Sequence, residues 1–307
     1  MSVAANLGRV LVIGGDGQVG TDLRRRLAAC AQVLATTRSG RLADGSECET
    51  LDLGDAEAIA PLLRHLRPDH VVNAAAYTAV DRAESEPAPA QAINAIAPGR
   101  LAQACAEAGI GLIHFSTDYV FDGRGARPYR EDDATAPLNV YGRSKLDGER
   151  AIAASGARHL ILRTAWVYAA THGQNFLRTM LRVGAQHDEL RVVADQRGSP
   201  TPTWLLADAV ARILERGIVD SGMRHLAAAG ETTWHGFAEA IFAEAVARGL
   251  LARAPRVTAI ATADYPTPAQ RPAYSVLDTQ CLRNEYALDL SDWREGLRQA
   301  FDRGDSG

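Results

Sequence analysis

A glycine-rich turn between a short apolar run and an amphipathic stretch constrains the fold of this 307-residue chain more than any other feature. Residues 9–13 are predicted to form a strand, the run Gly14–Gly20 follows, and a helix is predicted over 18–29. The glycines of such a G-x-G-x-x-G turn permit a tight bend, close approach of the backbone to a pyrophosphate, and close helix–strand packing. Free N–H groups at the helix start favour phosphate. We therefore predict a dinucleotide site; the alternative is a purely structural turn.

Short β-branched runs alternate with longer amphipathic stretches up to about residue 166. This alternation predicts parallel βαβ units, and the continuous apolar character of the strands fits burial on both faces. The sequence thus predicts an α/β fold with a doubly wound, Rossmann-like parallel sheet. The further predicted strands cover 33–37, 71–75, 111–116 and 159–163, and the further predicted helices cover 56–66, 88–108 and 141–154.

The second half of the chain has a looser rhythm, with proline clusters at 199–202 and 265–272. Helices are still predicted, over 175–185, 205–215, 234–247 and 292–301. We interpret residues 1–168 as the dinucleotide-binding domain, which also receives parts of 203–230. Residues 169–202 and 231–307 are interpreted as a smaller C-terminal α/β substrate-binding lobe over the carboxyl ends of the strands.

The end of the second predicted strand bears on the choice of cofactor. An acidic residue there would bind a ribose 2′-hydroxyl, but the chain has Thr36-Thr37-Arg38-Ser39. Arg38 can pair with a 2′-phosphate, and Thr37 or Ser39 can donate to it. We therefore predict NADPH and leave NADH open; the alternative for Arg38 is a solvated surface residue. Asp52 and Leu53 can lie beside the adenine, although an aspartate there is equally suited to beginning a helix.

Tyr141 and Lys145 form a Tyr-x-x-x-Lys pair in a predicted helix. Residues four apart share one helix face, so the ammonium group can lie near the phenol. A phenol with a pKa of ~10 is a poor acid near neutrality, and a neighbouring cation lowers that pKa. The same ammonium group can hold the ribose hydroxyls of the cofactor. The alternative is a solvated helix face.

Thr117 lies at the carboxyl end of the fourth predicted strand, where side chains point into the ligand crevice of such sheets. Its hydroxyl can donate to the carbonyl oxygen that Tyr141 protonates, as in an oxyanion clamp. Ser116 competes for that role, and Thr117 can instead be a strand-end cap.

Taken together, these segments resemble the extended short-chain dehydrogenase/reductases, and within them the dTDP-4-dehydrorhamnose reductase family. The resemblance covers nearly the whole chain. The segments that carry it are Gly14–Gly20, 71–84, 116–121, Pro137–Lys145, 163–168, 232–235 and 265–272. Of these, the stretch 73–84 and the stretch 265–272 are the most specific, because the glycine turn and the Tyr-x-x-x-Lys pair occur across the superfamily.

The resemblance implies NAD(P)H-dependent reduction of the C4 ketone of dTDP-4-dehydro-β-L-rhamnose to dTDP-L-rhamnose. It implies that Tyr141 is the proton donor, Lys145 its partner and ribose ligand, and Thr117 the third catalytic member. The cofactor ligands it implies are Gly14, Gly17, Gln18, Val19, Ala76, Tyr77 and Thr78. The substrate ligands it implies are Thr117, Asp118 and Trp166. We add Arg271 as a ligand of a substrate phosphate, because a guanidinium group binds phosphate through a fork of donors.

Two positions depart from the family pattern. Many members have an acid where this chain has Thr37, which bears on NADH use. Some members hold Mg²⁺ with glutamates near a dimer contact, where this chain has Asp22 and Trp204. We therefore predict no metal site, and homodimer formation stays open.

Charge and composition bear on the remaining function classes. A net charge of −4 argues against nucleic acid or an anionic membrane as partner, and no apolar run is long enough to span a bilayer. The four cysteines lack a C-x-x-C pair, so we expect free thiols and a cytoplasmic location. Two alternatives stay open: another nucleotide-sugar reductase or epimerase of the superfamily, and a non-catalytic regulatory subunit resembling that of methionine adenosyltransferase.

Overall fold

The computed structural model describes residues 6–304 and has a seven-stranded sheet at its centre. The strands are β1 Arg9–Ile13, β2 Gln32–Thr37, β3 Glu49–Thr50, β4 His70–Asn73, β5 Gly111–Thr117, β6 His159–Thr164, β7 Val167–Tyr168, β8 Glu189–Val193, β9 Arg197–Gly198, β10 Thr201–Pro202, β11 Gly222–His225, β12 Thr232–Thr233 and β13 Arg256–Ile260. The α-helices are α1 Gln18–Leu27, α2 Ile59–Leu66, α3 Val80–Ala83, α4 Pro87–Gln91, α5 Ala97–Ala108, α6 Val140–Ala153, α7 Phe176–Gly184, α8 Thr203–Arg216, α9 Trp234–Ala247, α10 Gln280–Tyr286 and α11 Trp293–Gly304. Short 3₁₀ turns cover Ala56–Ala58, Asp118–Val120 and Thr262–Asp264, and a π-helical segment covers Ala92–Ile96.

The strand order of the central sheet is β11-β6-β5-β4-β1-β2-β3, and every pairing within it is parallel. The order reverses at β1, which lies between β4 and β2. In open α/β sheets the ligand crevice forms at such a reversal, outside the carboxyl ends of the strands. The predicted doubly wound, Rossmann-like fold is confirmed.

Both faces of the sheet are buried, as the continuous apolar strands predict. Val10 and Val12 of β1 point into one core, which includes Leu23 and Leu27 of α1 and residues of α8. Leu11 and Ile13 alternate with them and point into a second core against α2 and α5. Because successive strand residues face opposite sides, a run of four apolar residues supplies both cores at once.

The last strand of the central sheet comes from the second half of the chain. After α8 packs on α1, β11 pairs with β6 along Gly222–His225. Elsewhere in the second half, β8 and β13 form a parallel pair against which α9 packs. These two strands and α9 fall within the residues predicted to form the smaller C-terminal lobe. The exact division of the chain into lobes stays an interpretation.

Most predicted elements exist, but one long helix differs. The stretch predicted as one helix over 88–108 consists of α4, the π-helical segment and α5 in succession. The helix predicted over 56–66 begins as a 3₁₀ turn and continues as α2. The remaining predicted helices and strands are present, with ends that differ by up to a few residues from the prediction. The π-helical turn matters for the site, because it contains the buried Asn94.

Candidate active site

A cleft of about 1360 Å³ opens along the carboxyl ends of the parallel strands. It runs past the glycine turn, the end of β2, the segment after β4, the end of β5 and the start of α6. It is lined by nearly all of the sequence-predicted site residues: Gly14, Gly17, Gln18, Val19, Arg38, Asp52, Leu53, Ala76, Tyr77, Thr78, Thr117, Asp118, Tyr141, Lys145 and Trp166. Arg271 is the one predicted site residue that is not part of this lining.

The glycine turn leaves the first turn of α1 open to the cleft. The backbone N–H groups of Gly14 and Gly15 both donate to the carbonyl oxygen of Thr36, at 3.1 and 2.9 Å. Gly14 has φ +80°, and a Cβ there would lie 2.9 Å from Ala75. Gly17 caps α1 without a side-chain hydrogen bond. The helix start therefore presents free N–H donors and the positive end of its dipole, which suits a pyrophosphate.

Gln18 connects the start of α1 to the segment before α7. Its Oε1 accepts a hydrogen bond from Nδ2 of Asn175 at 2.8 Å, and its Nε2 donates to the carbonyl oxygen of Gln174 at 3.2 Å. Gly173 and Gln174 also line the cleft. No local pattern predicts that this segment lines the cleft, because its contacts to Gln18 join residues more than 150 positions apart.

Arg38 is the free cation at the end of β2. It is exposed, and its guanidinium group forms no hydrogen bond or ion pair within residues 6–304. Thr37 is buried, and its Oγ1 is engaged with the backbone of Arg41, accepting from N and donating to O at 3.1 Å. The Ser39 hydroxyl also faces the Arg41 backbone, at 3.3 Å. Of the three residues considered for a 2′-phosphate, Arg38 is the one with a free charged group.

Asp52 and Leu53 form a turn beside this end of the cleft. Oδ1 of Asp52 accepts a hydrogen bond from the backbone N–H of Gly54 at 2.8 Å. The side chain thus stabilises a turn and does not cap a helix, while Asp55 precedes the 3₁₀ turn without a side-chain cap. Leu53 is buried and contributes to the core below the cleft.

The segment after β4 is held by the buried Asn94. Oδ1 of Asn94 accepts from the backbone N–H of Tyr77 at 2.8 Å, and Nδ2 donates to the Tyr77 carbonyl oxygen at 3.0 Å. Nδ2 also donates to Oγ of Ser144 on α6 at 3.0 Å. Asn94 therefore fixes the predicted cofactor segment against the helix that carries Tyr141. Sequence reasoning missed it; the available signal was an asparagine in the otherwise apolar run 92–98.

Helix α6 begins close to the end of β5. Asn139 caps it by accepting from the N–H of Gly142 at 2.7 Å, and Oε1 of Glu84 accepts from the N–H of Val140 at 2.7 Å. A Cβ on Gly142 would collide with the carbonyl oxygen of Tyr119, so glycine permits this close approach. The result places the Tyr141 ring edge-on to Tyr119, with centroids 5.7 Å apart.

The Tyr141 phenol does not have the lowered pKa that the sequence suggested. Burial raises the pKa of Tyr141, a hydrogen bond with Thr117 lowers it and the Asp118 carboxylate raises it, and together they bring this pKa to about 12. Lys145 does not contribute, because its Nζ donates to the carbonyl oxygen of Phe115 at 2.6 Å and lies 3.2 Å from Nε2 of His114. In the protein alone, the amine is thus directed at β5.

Thr117 and Asp118 form a polar pair at the end of β5. Oγ1 of Thr117 donates to Oδ1 of Asp118 at 3.0 Å and accepts from the N–H of Tyr119 at 3.2 Å. Burial raises the pKa of Asp118 to about 6, while hydrogen bonds with the Ser275 and Thr117 side chains act to lower it. Ser116 is not available to a ligand, since its Oγ donates to the buried Glu149 at 2.6 Å.

Glu149 belongs to a buried ion pair one helical turn after Lys145. Arg163 of β6 donates to it through two nitrogens, at 2.9 and 2.8 Å, and both side chains are 2 % exposed. This bidentate pair, with Ser116, ties α6 to the ends of β5 and β6.

Trp166 follows β6 in a left-handed backbone conformation, with φ +47°. Its indole stacks on Trp234 at the start of α9, with ring centroids 3.5 Å apart and planes 3° apart. Trp234 also lines the cleft, and its Nε1 donates to Oε1 of Gln196 at 3.2 Å. A Cβ on Gly198 would meet the Trp166 ring, so glycine lets the indole lie across β9. Sequence reasoning missed Trp234 as a wall of the cleft.

Arg271 binds an internal carboxylate. Its Nη1 and Nη2 donate to the two oxygens of Asp81, at 3.0 and 2.8 Å, and Nη1 also donates to Oγ1 of Thr267 at 2.5 Å. The Asp81 hydrogen bond raises the pKa of Arg271, and Arg271 in turn lowers the pKa of Asp81. The guanidinium fork expected to bind a phosphate is therefore filled by Asp81 in this structure.

The family positions associated with Mg²⁺ have other contacts here. Asp22 accepts a hydrogen bond from Oγ1 of Thr203 at 2.5 Å, and the guanidinium carbon of Arg303 lies 4.3 Å from the centroid of the Trp204 ring. Within residues 6–304 no group of three His, Cys, Asp or Glu side chains could hold a metal ion. In the same range, no helix is both long and apolar enough for a bilayer span.

Comparisons with known protein sequences all indicate the same family. The model of the RmlD substrate binding domain family matches residues 8–306. A dTDP-4-dehydrorhamnose reductase of Burkholderia thailandensis is 46% identical over 295 residues, which is 93% of this chain and 95% of that protein. The reductase of the same name from Escherichia coli K12 is 44% identical over 293 residues, or 94% of this chain and 96% of that protein.

Solved structures of similar fold include a reductase of the same name. A dTDP-4-dehydrorhamnose reductase of Bacillus anthracis in complex with NADP has a TM-score of 0.87 at 32% identity, covering 96% of this chain and 99% of that one. A Thermus thermophilus UDP-glucose 4-epimerase in complex with NAD has a TM-score of 0.80 at 21% identity, covering 97% and 99%. The epimerase likeness concerns the fold.

Proposed function

Because the chain belongs to the RmlD substrate binding domain family, we propose that it is a reductase of dTDP-4-dehydro-β-L-rhamnose. It reduces the C4 ketone with NADPH and yields dTDP-L-rhamnose. The observation that carries this proposal is the convergence of Thr117, Tyr141 and Lys145 at one end of a cleft whose other parts suit a dinucleotide phosphate. The partner is thus a small nucleotide sugar.

The residues along the cleft fit a phosphorylated dinucleotide. Gly14 lets the turn pass close to Ala75 at the base of the cleft, and the first turn of α1 has free N–H donors. Arg38 would bind the 2′-phosphate, since its guanidinium group has no internal partner within residues 6–304. When bound, the reduced nicotinamide supplies the hydride for the ketone carbon.

The chain's own residues supply the proton and hold the ketone. The Tyr141 hydroxyl donates its proton to the oxygen that becomes the alcohol. Thr117 turns its hydroxyl from Asp118 to the same oxygen and so stabilises developing negative charge. The freed carboxylate of Asp118, which lines the cleft, accepts hydrogen bonds from sugar hydroxyls. Trp166 presents an aromatic face to the C–H groups of the sugar ring.

The cellular location and the oligomeric state belong to the same proposal. We place the protein in the cytoplasm, supported by its four cysteines, all of which are free thiols in the structure. We also propose that the protein forms a homodimer, and light scattering of the purified protein tests this. Neither feature changes the chemistry of the cleft.

The test is steady-state turnover of purified keto sugar, followed at the nicotinamide absorbance band. We expect NADPH oxidation by the wild type and a loss of about 10²–10⁴-fold in kcat for Tyr141→Phe, because the general acid is removed. Tyr168→Phe is the matched control, since that buried tyrosine lies outside the cleft lining and its hydroxyl has no partner within the described residues. An inactive wild type, or equal kcat for Tyr141→Phe and wild type, contradicts the proposal.

A further inference from the structure

A buried chain of hydrogen bonds through Asn73 and His114 lies behind Lys145. His114 of β5 and Asn73 of β4 are each 1 % exposed, as is Lys145. Nδ2 of Asn73 lies 3.0 Å from Nδ1 of His114, and Nε2 of His114 lies 3.2 Å from Nζ of Lys145. The imidazole therefore bridges the reversal point of the sheet and the catalytic helix.

The hydrogen bonds fix the tautomer of His114. The backbone N–H of Ala75 donates to Oδ1 of Asn73 at 3.1 Å, so the amide nitrogen Nδ2 must face His114. An amide nitrogen is a donor only, hence Nδ1 of His114 accepts. A neutral imidazole then carries its proton on Nε2, pointing at Lys145. Burial, together with the charge of Lys145, lowers the pKa of His114 well below its usual value, which keeps the ring neutral.

This tautomer has a consequence for Lys145. An N–H donor at Nε2 needs an acceptor, and a lysine nitrogen has a lone pair only when it is the neutral amine. The neutral amine still has hydrogens, one of which satisfies the carbonyl oxygen of Phe115 at 2.6 Å. Protonation to the ammonium form would place two donors face to face. Burial acts in the same direction and lowers the pKa of Lys145 to about 8.

Charged groups around Lys145 do not reverse this preference. Glu149 on the same helix raises the pKa of Lys145, but its carboxylate is bound by Arg163 of β6 and by the Ser116 hydroxyl of β5. Tyr141, also on α6, has a raised pKa and stays a neutral phenol. Asp118, at the end of β5, acts on Tyr141. From β4, the facing group is the neutral amide of Asn73.

We propose that Asn73 and His114 weaken proton binding by Lys145 in the free protein, so that at alkaline pH it is a neutral amine there, and that cofactor binding draws a proton onto it from solvent. The inference rests on the proposed function, because hydroxyl groups of a bound NADPH supply the acceptors that an ammonium group needs. The balance is one amine plus one proton from water or buffer, giving one ammonium group. His114 is a positioning residue, and it sets the step at which a proton enters the site.

The test is calorimetric titration of NADPH into the cofactor-free 307-residue protein, in two buffers with different heats of ionisation. The difference gives the number of protons bound per NADPH. At about pH 9 we expect an uptake of about 0.9 proton, falling to about 0.1 at about pH 7, where Lys145 is already protonated in the free protein. The 2′-phosphate of the cofactor is fully ionised at the higher pH, so it does not contribute to the proton uptake measured there. NADH, which lacks that group, is titrated as a control.

Two substitutions separate the roles of the imidazole. His114→Asn keeps an acceptor for Asn73 near the place of Nδ1 but removes the group that faces Lys145. His114→Gln places an amide near Nε2 and can turn its oxygen toward the ammonium form. Both changes favour the ammonium group in the free protein, so both should reduce the uptake at about pH 9 at least threefold. The expected thermal stability of the Gln variant is close to that of the wild type.

The outcomes are distinguishable. Absence of NADPH binding to the wild type would contradict the proposed function, and this inference with it. NADPH binding with no proton uptake at either pH would overturn the inference alone. Proton uptake that persists unchanged in folded His114→Asn and His114→Gln proteins would show that His114 does not control the protonation of Lys145. If neither variant folds, the pH dependence of the wild-type uptake decides by itself.

Discussion

Asn94 and Ser144 are joined by a hydrogen bond of 3.0 Å, although 50 residues separate them in the chain. The bond connects the π-helical segment to the turn of α6 between Tyr141 and Lys145. Since Asn94 also binds both backbone polar groups of Tyr77, one amide holds the cofactor segment and the catalytic helix in register. The π-helical segment is the part of this helical stretch that carries the amide.

Replacing Asn94 by alanine should therefore weaken both folding and cofactor binding. The backbone N–H and C=O of Tyr77 would be left unpaired in a buried place, and we expect a loss of about 2–4 kcal/mol in the free energy of unfolding. Urea unfolding measures this loss, and NADPH titration should show weaker binding. Asn284→Ala, at an exposed amide of α10, is the control and should change neither quantity.

Arg38→Ala should weaken binding of NADPH by about ten- to hundredfold, since one charge-assisted hydrogen-bonded contact to a phosphate is lost. NADH, which lacks the 2′-phosphate, should bind the variant and the wild type alike. Binding titrations with both cofactors measure this difference. Arg64→Ala, at an exposed position of α2, controls for the loss of a surface charge. Equal losses for the two cofactors would argue against the 2′-phosphate role.

Arg163→Met should destabilise the protein strongly. The change leaves Glu149 as a buried carboxylate without its bidentate partner, which costs about 3–5 kcal/mol. The double variant Arg163→Met, Glu149→Leu removes both charges and should be much more stable than the single variant. Chemical unfolding of the four proteins of this cycle gives the coupling free energy. If the two changes are additive, the pair does not act as a unit.

His225 should make the protein less stable in acid. The ring is fully buried, its Nδ1 donates to the carbonyl oxygens of Tyr129 and Asp278 at 3.1 and 3.2 Å, and Nε2 has no partner within the described residues. Burial, helped by Arg163, lowers the pKa of His225 to about 3. The unfolded chain therefore binds the extra proton below about pH 6.5, and stability falls by about 1.4 kcal/mol per pH unit from there toward pH 3.

The variant His225→Asn isolates this contribution, because an asparagine amide can keep the Nδ1-like donor but does not titrate. Above about pH 7 the two proteins should show the same pH dependence of the unfolding free energy. Below that, the wild type should lose stability more steeply than the variant. Parallel curves throughout the acid range would show that His225 does not couple to folding.

Local patterns predicted the first βαβ unit and the Tyr-x-x-x-Lys helix well. The strand at Arg9–Ile13 is present as predicted, because its four consecutive apolar residues and the glycines that follow act within a few positions. The α6 pair is likewise local, since an i, i+4 spacing decides which face both side chains share. The presence of a cleft over these elements follows from sheet topology.

Local patterns could not predict the contacts between residues that are far apart in the chain. Nothing near Arg271 in sequence indicates that Asp81, 190 residues away, fills its guanidinium fork. The Trp166–Trp234 stack and the contacts of Gln18 to the segment before α7 are equally distant in the chain. The direction of Lys145 depends on the backbone of β5 and on His114, whereas helix spacing alone suggested that it faces the phenol.

The late arrival of β11 at the sheet makes the nucleotide-binding half dependent on sequence that follows it. A fragment ending near residue 168 would expose the unpaired backbone edge of β6 and the apolar face of α1 that α8 covers. An open edge of this kind invites pairing between copies. During synthesis, the six strands β1 to β6 must therefore wait for about sixty further residues before β11 closes the sheet on that side, and through this delay the open edge is exposed to chaperones.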